Sequence, residues 1–465
     1  MSSSTQEKPR SRANSLVIRS AIVAALGGLV FGFDTAVISG AEGALQEVFS
    51  LSNFSLGLTV AIATFGTIFG AIFAGRLADR FGRHKVLLWI GIIYILGSLG
   101  TAFAPTHIIL LIFRFVGGIG VGMSSVCAPI YTAEISPAAY RGRLVGLVQF
   151  NVVLGILLAY FSNFLIRRIA PDDVAWRWML GVMAIPSVIF LLLLLTVPET
   201  PRWLMSHGRT DAAIATSRRL CSTQEESDEQ IAEIKEQLAE DARLRSMRTP
   251  FFSRRYRKVI LMAFAIAAFN QLSGVNAILY YAPRVIQEAG ASDDQAYLMT
   301  VAVGFMNLIA TMAALTVIDR LGRRTLMLVG SIGYLLSLGF LTALFFVYDG
   351  NYNTTSSVLV LVGLLCFIAA HAFGQGSVIW VFISEIFPNR VRGAGQSFGS
   401  LTHWTFAALT TLLFPSIVGA LGGGIAFLIF FICMIGQLIW VRLVMPETKG
   451  IPLEDMEKKL GLRDA

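Results

Sequence analysis

Apolar residues run along most of this chain in long stretches that short polar segments separate. Each of twelve stretches is close to the roughly 20 residues that a helix needs to cross a bilayer. The predicted spans lie at about 17–40, 54–78, 85–104, 107–131, 144–166, 176–196, 257–282, 296–318, 325–347, 357–383, 396–418 and 422–444. The pattern predicts an all-α membrane protein with twelve transmembrane helices.

The only long polar interval, residues 205–255, divides the twelve spans into two groups of six. Within it, Ile231, Ile234 and Leu238 recur at spacings of three and four in a charged segment, which is typical of an amphipathic surface helix. We expect this helix to bridge the ends of both halves. The predicted parts are a disordered cytoplasmic tail (1–16), an N-terminal six-helix bundle (17–200), a cytoplasmic helical linker (201–256), a C-terminal six-helix bundle (257–445) and a cytoplasmic C-terminal segment (446–465).

Span seven carries polar groups that hydrocarbon cannot satisfy. They are Asn270, Gln271, Asn276 and Tyr280. Ser273, Gly274 and Pro283 weaken the helix on both sides of Asn276. A polar, breakable helix in a membrane is tolerated only against protein or a water-filled cavity. Because carboxamides donate and accept hydrogen bonds without charge, such a cavity suits a neutral, hydroxyl-rich solute.

Composition supports the membrane assignment and explains the charge. The chain is 55% hydrophobic and 14% charged, whereas soluble domains carry about 25% charged residues. The net charge of +8 reflects Lys and Arg that cluster in alternate loops, so it does not indicate nucleic-acid binding. The exceptions, in the opposite loops, are Arg167, Arg168 and Arg177. The positive-inside rule then places both termini in the cytoplasm.

Three motifs occur twice, in the same order, at offsets of 240, 251 and 248 residues. Residues 79–83 recur as 319–323, residues 134–142 as 385–393, and residues 198–200 as 446–448. Coincidence explains one such pair but not three, so we interpret the chain as a duplicated six-helix unit. Two parallel repeats predict two bundles around an axis along the membrane normal, with the solute site between them at mid-depth.

Asp34 is an acid well inside span one, and Arg114 lies deep in span four. A carboxylate at mid-membrane costs about 2.5–3.5 kcal/mol, so we expect the two side chains to pair. One interpretation is a proton-binding acid whose pKa the arginine sets. The other is a static ion pair that fixes helix packing.

Other spans contain isolated polar or aromatic side chains with two readings each. They are Gln149 in span five, Asn307 in span eight, His371 and Trp380 in span ten, and His403 and Trp404 in span eleven. An amide can bind the solute or pack against a neighbouring helix, and a tryptophan can stack on a sugar or fill the core. The histidines can be neutral ligands or titrating groups; we favour neutral ligands. Glycines at 117–122, inside span four, are close-packing sites rather than a dinucleotide loop.

Taken together, these motifs resemble the sugar porter family of the major facilitator superfamily over about residues 17–450. The resemblance implies a major facilitator fold that binds a pyranose between the bundles. It implies sugar contacts from Gln149, Asn270, Gln271, Asn276, Asn307 and Trp380, with Trp404 beneath the sugar and His371 and His403 at the same site. It assigns the outer gate to Tyr280 and Tyr281. It assigns a cytoplasmic salt-bridge network, which locks the outward-facing state, to the pairs Glu134–Arg141 and Glu385–Arg392, with Arg83, Arg323, Arg324, Glu199 and Glu447.

Two positions bear on the energy source and the sugar. Bacterial proton–xylose symporters of the family have an acid where this chain has Asp34, and mammalian glucose facilitators have Asn. At Ile156 the xylose symporter has Gln and the glucose facilitators have Ile. The family often has prolines where this chain has Ser377 and Ile379, so the hinge of span ten would rest on two glycines.

We therefore expect a proton-driven symporter for a hexose, D-glucose in particular, that works by alternating access in the plasma membrane as a monomer. The coupling ion is the proton, and we expect no cofactor and no metal. The alternatives are a passive facilitator and a transport-dead sugar sensor; sensors tend to carry a long soluble tail, and only about twenty residues follow Pro446. An enzyme is not expected, because no nucleophile–base pair or metal cluster is present in the spans.

Overall fold

The computed structural model describes residues 14–137, 140–246, 250–388, 390–451 and 453–462. Most of the predicted N-terminal tail lies outside the described residues. The described chain consists of helices joined by short loops, without a strand. The predicted all-α membrane fold is confirmed.

The first half comprises six spans followed by the linker. Spans one to five are single helices: α1 (Ser15–Val48), α2 (Asn53–Phe81), α3 (Arg83–Ala102), α4 (His107–Ile135) and α5 (Arg141–Ile169). Span six consists of α6 (Asp172–Gly181) and α7 (Ala184–Leu194). The linker contains α8 (Pro201–Ser206), α9 (Thr210–Leu220) and α10 (Gln224–Ser246).

The second half repeats this order with more interruptions. Span seven consists of α11 (Arg257–Leu272) and α12 (Val275–Glu288), span eight is α13 (Asp293–Leu321), and span nine is α14 (Arg323–Val347). Span ten consists of α15 (Thr354–His371), a π-helical turn (Ala372–Gly376) and α16 (Ser377–Ile386). Spans eleven and twelve form α17 (Arg392–Leu443), and α18 (Leu453–Lys459) follows.

Two breaks in these helices fall where the sequence weakens them. Helix α17 has 52 residues and departs from helical geometry at Gly422, where φ is 82°, so it supplies two of the twelve spans. Gly274 adopts a left-handed conformation with φ 85° between α11 and α12. The Ser273 hydroxyl accepts the N–H of Val275, and Tyr281 is non-helical shortly before Pro283. The predicted weakness on both sides of Asn276 is confirmed.

Glycines allow the helices of the first bundle to approach closely. A Cβ added at Gly32 of α1 would lie 1.8 Å from the Val152 carbonyl oxygen of α5. At Gly118 of α4 it would lie 1.9 Å from the Ala63 carbonyl oxygen of α2. Such contacts between small residues hold membrane helices together by close packing.

The linker helices pack on the first bundle. The indole N–H of Trp203 donates to the carbonyl of Asp79 (2.8 Å), and α9 contacts α1 while α8 contacts α4. Ile231 and Ile234 are buried, as predicted. The apolar face of α10 packs on α8 and α9, and the bridge to the second bundle stays a prediction.

Among the described residues, the side-chain hydrogen bonds and ion pairs that join the two bundles lie in the half of the membrane away from the linker, which we call the far side. Contacts there are Tyr160 Oη to the Leu279 carbonyl (2.6 Å), Tyr297 Oη to the Gly40 carbonyl (2.7 Å), Arg167 to Asp293 (3.2 Å) and Tyr280 to Thr64 (3.5 Å). Among the described residues, no side-chain hydrogen bond or ion pair joins the bundles on the linker side. Polar contacts therefore close the interface on the far side.

Arg284 of α12 ties the bundles together on the far side. Its Nη1 lies 3.2 Å from Oε2 of Glu42 on α1, and the Glu42 side chain is 5% exposed. Gln46 accepts a hydrogen bond from the same guanidinium, and Glu288, on α12 itself, lies 3.9 Å away. Breaking a buried ion pair leaves a charge uncompensated, which costs about 3–5 kcal/mol. Opening the far side therefore requires this pair to separate or to be neutralised.

We expect Glu42→Gln to shift the protein towards a form open on the far side, because it removes the charge that holds Arg284 across the interface. The measurement is the rate at which a cysteine introduced at Thr64 reacts with a water-soluble maleimide, in a background without the four native cysteines. If the substitution stabilises the form open on the far side by about 1.4 kcal/mol relative to the closed form, the labelling rate should increase about tenfold.

Glu288→Gln is the matched control, because it removes a carboxylate from the same arginine without touching the interface. It should leave the labelling rate near that of the parent. Equal rates in the parent and in Glu42→Gln would show that the pair does not hold the far side closed.

Candidate functional site

The centre of the molecule contains two buried amides at the break in span seven. Asn270 and Gln271 are 2% and 1% exposed and lie at the end of α11, just before Gly274. The Gln271 Nε2 donates to the Asn270 Oδ1 (2.9 Å) and lies 3.3 Å from a ring nitrogen of His403. The broken helix thus places two amides beside an imidazole of span eleven.

A row of aromatic rings continues from this imidazole. The ring centroids of Trp380 and His403 are 5.1 Å apart, those of His403 and Trp404 4.9 Å, and those of Trp404 and Phe31 6.0 Å. Trp380 is 37% exposed although it lies within a span. Aromatic faces beside hydrogen-bonding amides can bind a solute that has both apolar and hydroxyl surfaces.

Four further residues predicted for the site lie outside this contact cluster. Gln149 is exposed and Asn276 is half-buried, and neither makes a side-chain hydrogen bond to the described residues. Asn307 is 7% exposed and accepts from Thr311 at 3.4 Å. His371 Nδ1 lies 2.6 Å from the Tyr334 hydroxyl, so span nine holds its ring. The amides of Gln149 and Asn276 thus keep their full hydrogen-bonding capacity for a ligand.

The structure adds two amides that the sequence reasoning did not place at the site. Gln375, in the π-helical turn, accepts from Asn270 (3.5 Å) and donates to Gln437 of span twelve (2.9 Å). Both glutamines are fully buried. A carboxamide inside an apolar span is costly unless it is paired; that rule applied to spans ten and twelve could have identified them. The same rule applied to acids could have found Glu42.

Asp34 and Arg114 form the predicted ion pair. Asp34 Oδ1 lies 3.0 Å from Arg114 Nη1, and each residue is 4% exposed. The contact uses one guanidinium nitrogen, whereas bidentate pairs use two and bind more strongly. The Nε of Arg114 is buried and makes no hydrogen bond to the described chain.

A small cavity borders this pair. It is lined in part by Asp34, Arg114, Ser98 and Thr101, and its volume open to the centre of a water molecule is about 10 Å³. That volume is near the minimum for one water, which would find several polar partners here. Asp34 is also one helical turn from Phe31, the α1 residue that contacts Trp404. The buried acid and the aromatic row thus share one stretch of helix.

The tyrosines predicted for the outer gate lie on the far side, where the bundles touch. Tyr280 contacts the Thr64 hydroxyl across the interface (3.5 Å). Tyr281 donates to the Thr411 carbonyl (3.3 Å) and stacks on Phe414 with centroids 5.4 Å apart. Both tyrosines are buried, in keeping with a closed far side.

On the linker side, the duplicated motifs form matching networks. Arg83 lies 2.9 Å from Glu134 Oε1, and the Thr200 hydroxyl donates to Glu134 Oε2 (2.6 Å). In the second bundle Arg323 lies 2.9 Å from Glu385 Oε1, and the Thr448 hydroxyl donates to Glu385 Oε2 (2.6 Å). Each network lies within one bundle.

The role of the pairs Glu134–Arg141 and Glu385–Arg392 in locking the outward-facing state stays a prediction, and in this conformation the two pairs do not form. The physical reason is that each carboxylate already has both oxygens engaged inside its own bundle. Buried nitrogens of Arg141 and Arg392 make no hydrogen bond to the described residues.

Glu199 and Glu447 cap the helices that begin spans three and nine. Glu199 accepts the N–H groups of Arg83 and His84, and Glu447 accepts those of Arg323 and Arg324. A carboxylate at a helix N-terminus is favoured by the helix dipole. Burial raises the pKa of the Glu199 carboxyl despite these donors. Burial also acts to raise the pKa of Glu447, but its backbone N–H donors together hold it below its ordinary value.

Arg324 ties span nine to the end of span twelve. Its guanidinium donates to the carbonyls of Val441 (3.3 Å) and Arg442 (2.7 Å), in the last turn of α17. A cation at a helix C-terminus is favoured by the unpaired carbonyls there. The sequence motifs around Arg83 and Arg323 thus connect several spans of the same bundle on the linker side.

Comparisons with known proteins agree with this architecture. Residues 20–460 match the family described as "Sugar (and other) transporter". The D-xylose-proton symporter of Escherichia coli (strain K12) is 33% identical, with 96% of each chain covered. The glucose transport protein of Synechocystis sp. is 34% identical, covering 93% of this chain and 95% of that protein.

The fold matches a solved structure of the same kind. The inward open conformation of the xylose transporter XylE from E. coli superimposes with a TM-score of 0.84 at 32% identity, over 95% of this chain and 99% of that chain. The matched region includes the duplicated motifs, the broken span seven and the interface between the bundles. The chain belongs to the sugar porter family of the major facilitator superfamily.

Proposed function

We propose that this sugar transporter is a proton-coupled symporter for a hexose, D-glucose in particular, driven through Asp34. The observation that carries the proposal is the buried Asp34–Arg114 pair, joined by a single hydrogen bond of 3.0 Å. A pair optimised only for packing would use the bidentate geometry that arginine offers. A pair that must open and close in every cycle gains from a weaker contact.

The proposed cycle couples protonation to movement of α1. Protonation of Asp34 neutralises the carboxylate and releases Arg114, whose guanidinium then needs a new partner. Because Phe31 on the same helix contacts Trp404, a shift of α1 changes the wall of the sugar cavity. Sugar occupancy and Asp34 protonation thereby favour the same arrangement of the bundles.

The driving force is sufficient for concentrative uptake. One elementary charge crossing 100 mV is worth about 2.3 kcal/mol, which corresponds to roughly 50-fold accumulation. Each sugar hydrogen bond contributes only about 0.5–1.5 kcal/mol net. The site can therefore select a sugar and still release it.

We propose that the protein lies in the plasma membrane; the charge distribution supports an orientation with the linker and both termini in the cytoplasm. In that orientation the polar contacts between the bundles close the outer side, in keeping with the inward open structure that the chain resembles. We propose that the protein works as a monomer, since the site lies between the two bundles of one chain. Among sugar transporters, the remaining alternative is a passive facilitator in which Asp34 and Arg114 form a structural ion pair.

We expect Asp34→Asn to abolish proton-driven accumulation while sugar exchange continues, because asparagine mimics the neutral acid permanently. The measurement uses proteoliposomes: sugar uptake under an imposed pH gradient, and counterflow exchange without one. The control is Asp34→Glu, which keeps an ionisable group and should retain part of the accumulation.

Uphill uptake by Asp34→Asn would show that another group couples the proton. A parent protein that never exceeds equilibration would instead establish the facilitator.

The site amides should contribute directly to sugar binding. We expect Gln271→Ala or Asn276→Ala to weaken binding by about 1–3 kcal/mol, the cost of leaving a partner unpaired. The measurement is titration calorimetry on purified protein. Asn151→Ala is the control, because Asn151 donates to the Leu147 carbonyl of its own helix (2.9 Å). Parent-like affinity in both site variants would place the sugar elsewhere.

Ile156 should favour a hexose over a pentose. Its side chain is 6% exposed and offers an apolar surface where the xylose symporter has an amide. In a competition assay, we expect unlabelled D-glucose to displace labelled D-glucose more strongly than D-xylose does. Ile156→Gln should reduce this difference between the two competing sugars. Stronger displacement by D-xylose would contradict the hexose assignment.

A further inference from the structure

A continuous row of buried hydrogen bonds leads from the core of the second bundle to the site. The bonds are Ser331 Oγ to the Met327 carbonyl (2.7 Å), Gln437 Nε2 to Ser331 Oγ (2.8 Å), Gln375 Nε2 to Gln437 Oε1 (2.9 Å), Asn270 Nδ2 to Gln375 Oε1 (3.5 Å) and Gln271 Nε2 to Asn270 Oδ1 (2.9 Å). All five side chains are at most 2% exposed. We call this row the amide relay.

The direction of the relay is set at its inner end. The hydroxyl of Ser331 has a single hydrogen, and the carbonyl of Met327 can only accept it. The Ser331 oxygen is therefore left with lone pairs and needs a donor. Gln437 must turn its NH₂ group towards Ser331, which turns its carbonyl oxygen towards Gln375.

The same reasoning passes along the row. A carbonyl oxygen from Gln437 requires the NH₂ group of Gln375, so Gln375 presents its own oxygen to Asn270. Asn270 in turn presents its oxygen to Gln271. A carboxamide reversed at any one position would bring two donors or two acceptors together, and buried groups left unpaired are costly.

The relay ends at an acceptor. One hydrogen of the Gln271 NH₂ group goes to Asn270, and the other faces the His403 ring at 3.3 Å. The Oε1 of Gln271 is buried and makes no hydrogen bond to the described residues. A buried oxygen in this state needs a donor from whatever occupies the cavity.

We propose that Ser331, Gln437 and Gln375 are positioning residues that fix the hydrogen-bond polarity of the site, so that Gln271 meets the sugar with an acceptor. The proposal rests on the proposed sugar-binding function. Its chemical consequence is that one sugar hydroxyl must act as a donor to Gln271. Fluorine can accept a hydrogen bond but cannot donate one. A sugar in which fluorine replaces this hydroxyl should therefore bind no more tightly than the sugar in which hydrogen replaces it.

The test compares monodeoxy and monofluoro analogues of D-glucose, or of D-xylose if the parent binds xylose instead. For the parent, we expect one carbon at which both analogues bind roughly tenfold more weakly than the natural sugar, as for a lost buried hydrogen bond. In Ser331→Ala, Gln437 loses the acceptor that orients it, so the relay can reverse and present the NH₂ group of Gln271. The fluoro analogue should then bind more tightly than the deoxy analogue at that carbon.

Controls separate polarity from general destabilisation. Ser337 lies on the same helix, is 3% exposed and donates to the Gly333 carbonyl (2.8 Å), so Ser337→Ala removes an equivalent hydroxyl outside the relay. It should keep the parent's ratio of fluoro to deoxy affinity, as should Ser331→Thr. A second variant, Gln437→Met, should shift the ratio as Ser331→Ala does, which guards against one variant that fails to fold.

The outcomes are distinct. The relay is supported if the ratio of fluoro to deoxy affinity changes in Ser331→Ala and Gln437→Met but not in the control variants. A merely structural role would weaken the binding of all analogues in proportion. If the parent binds the sugar but the ratio of fluoro to deoxy affinity is unchanged in Ser331→Ala and in Gln437→Met, the relay is overturned. The proposed function is then left intact. A parent that binds neither sugar overturns the proposed function and the relay with it.

Discussion

The structure depends on one constraint: inside a membrane-spanning bundle, buried polar groups need partners in the protein or in a water-filled cavity. Asp34 meets it with Arg114, and Glu42 meets it with Arg284 in the opposite bundle. The amides of the second bundle meet it by bonding to one another in series. Because few alternative partners exist in hydrocarbon, each such contact restricts the positions that two or more helices can take.

The two bundles use the duplicated motifs as internal fasteners. In each, a glutamate after the sixth span caps the helix of the third, and an arginine at the start of that helix binds a glutamate at the end of the fourth. These contacts make each bundle a rigid body on the linker side. We expect changes of conformation to concentrate at the interface and at the breaks near Gly274 and in the π-helical turn of span ten.

Much of this architecture follows from the sequence. Hydropathy gives the spans, the repeated motifs give the two bundles, and Gly274 marks the break in span seven. What the sequence could not provide is partner choice. Glu134 has several arginines within a short stretch of chain, and only the fold shows that Arg83 and Thr200 occupy both of its oxygens. Gln437 and Gln375 are 62 residues apart, so no local pattern reveals that they touch.

The distribution of polar side chains between the bundles has a consequence for how such proteins diversify. The buried ion pair of Asp34 and Arg114 belongs wholly to the first bundle, and the chain of amides from Ser331 to Gln271 belongs wholly to the second. Aromatic packing of Phe31 on Trp404 joins the two systems near the middle of the membrane. Each half can thus accumulate substitutions without disturbing the interior of the other. A recombinant chain that takes its halves from two relatives would keep both interiors intact and would need to match only the surface at which the halves meet.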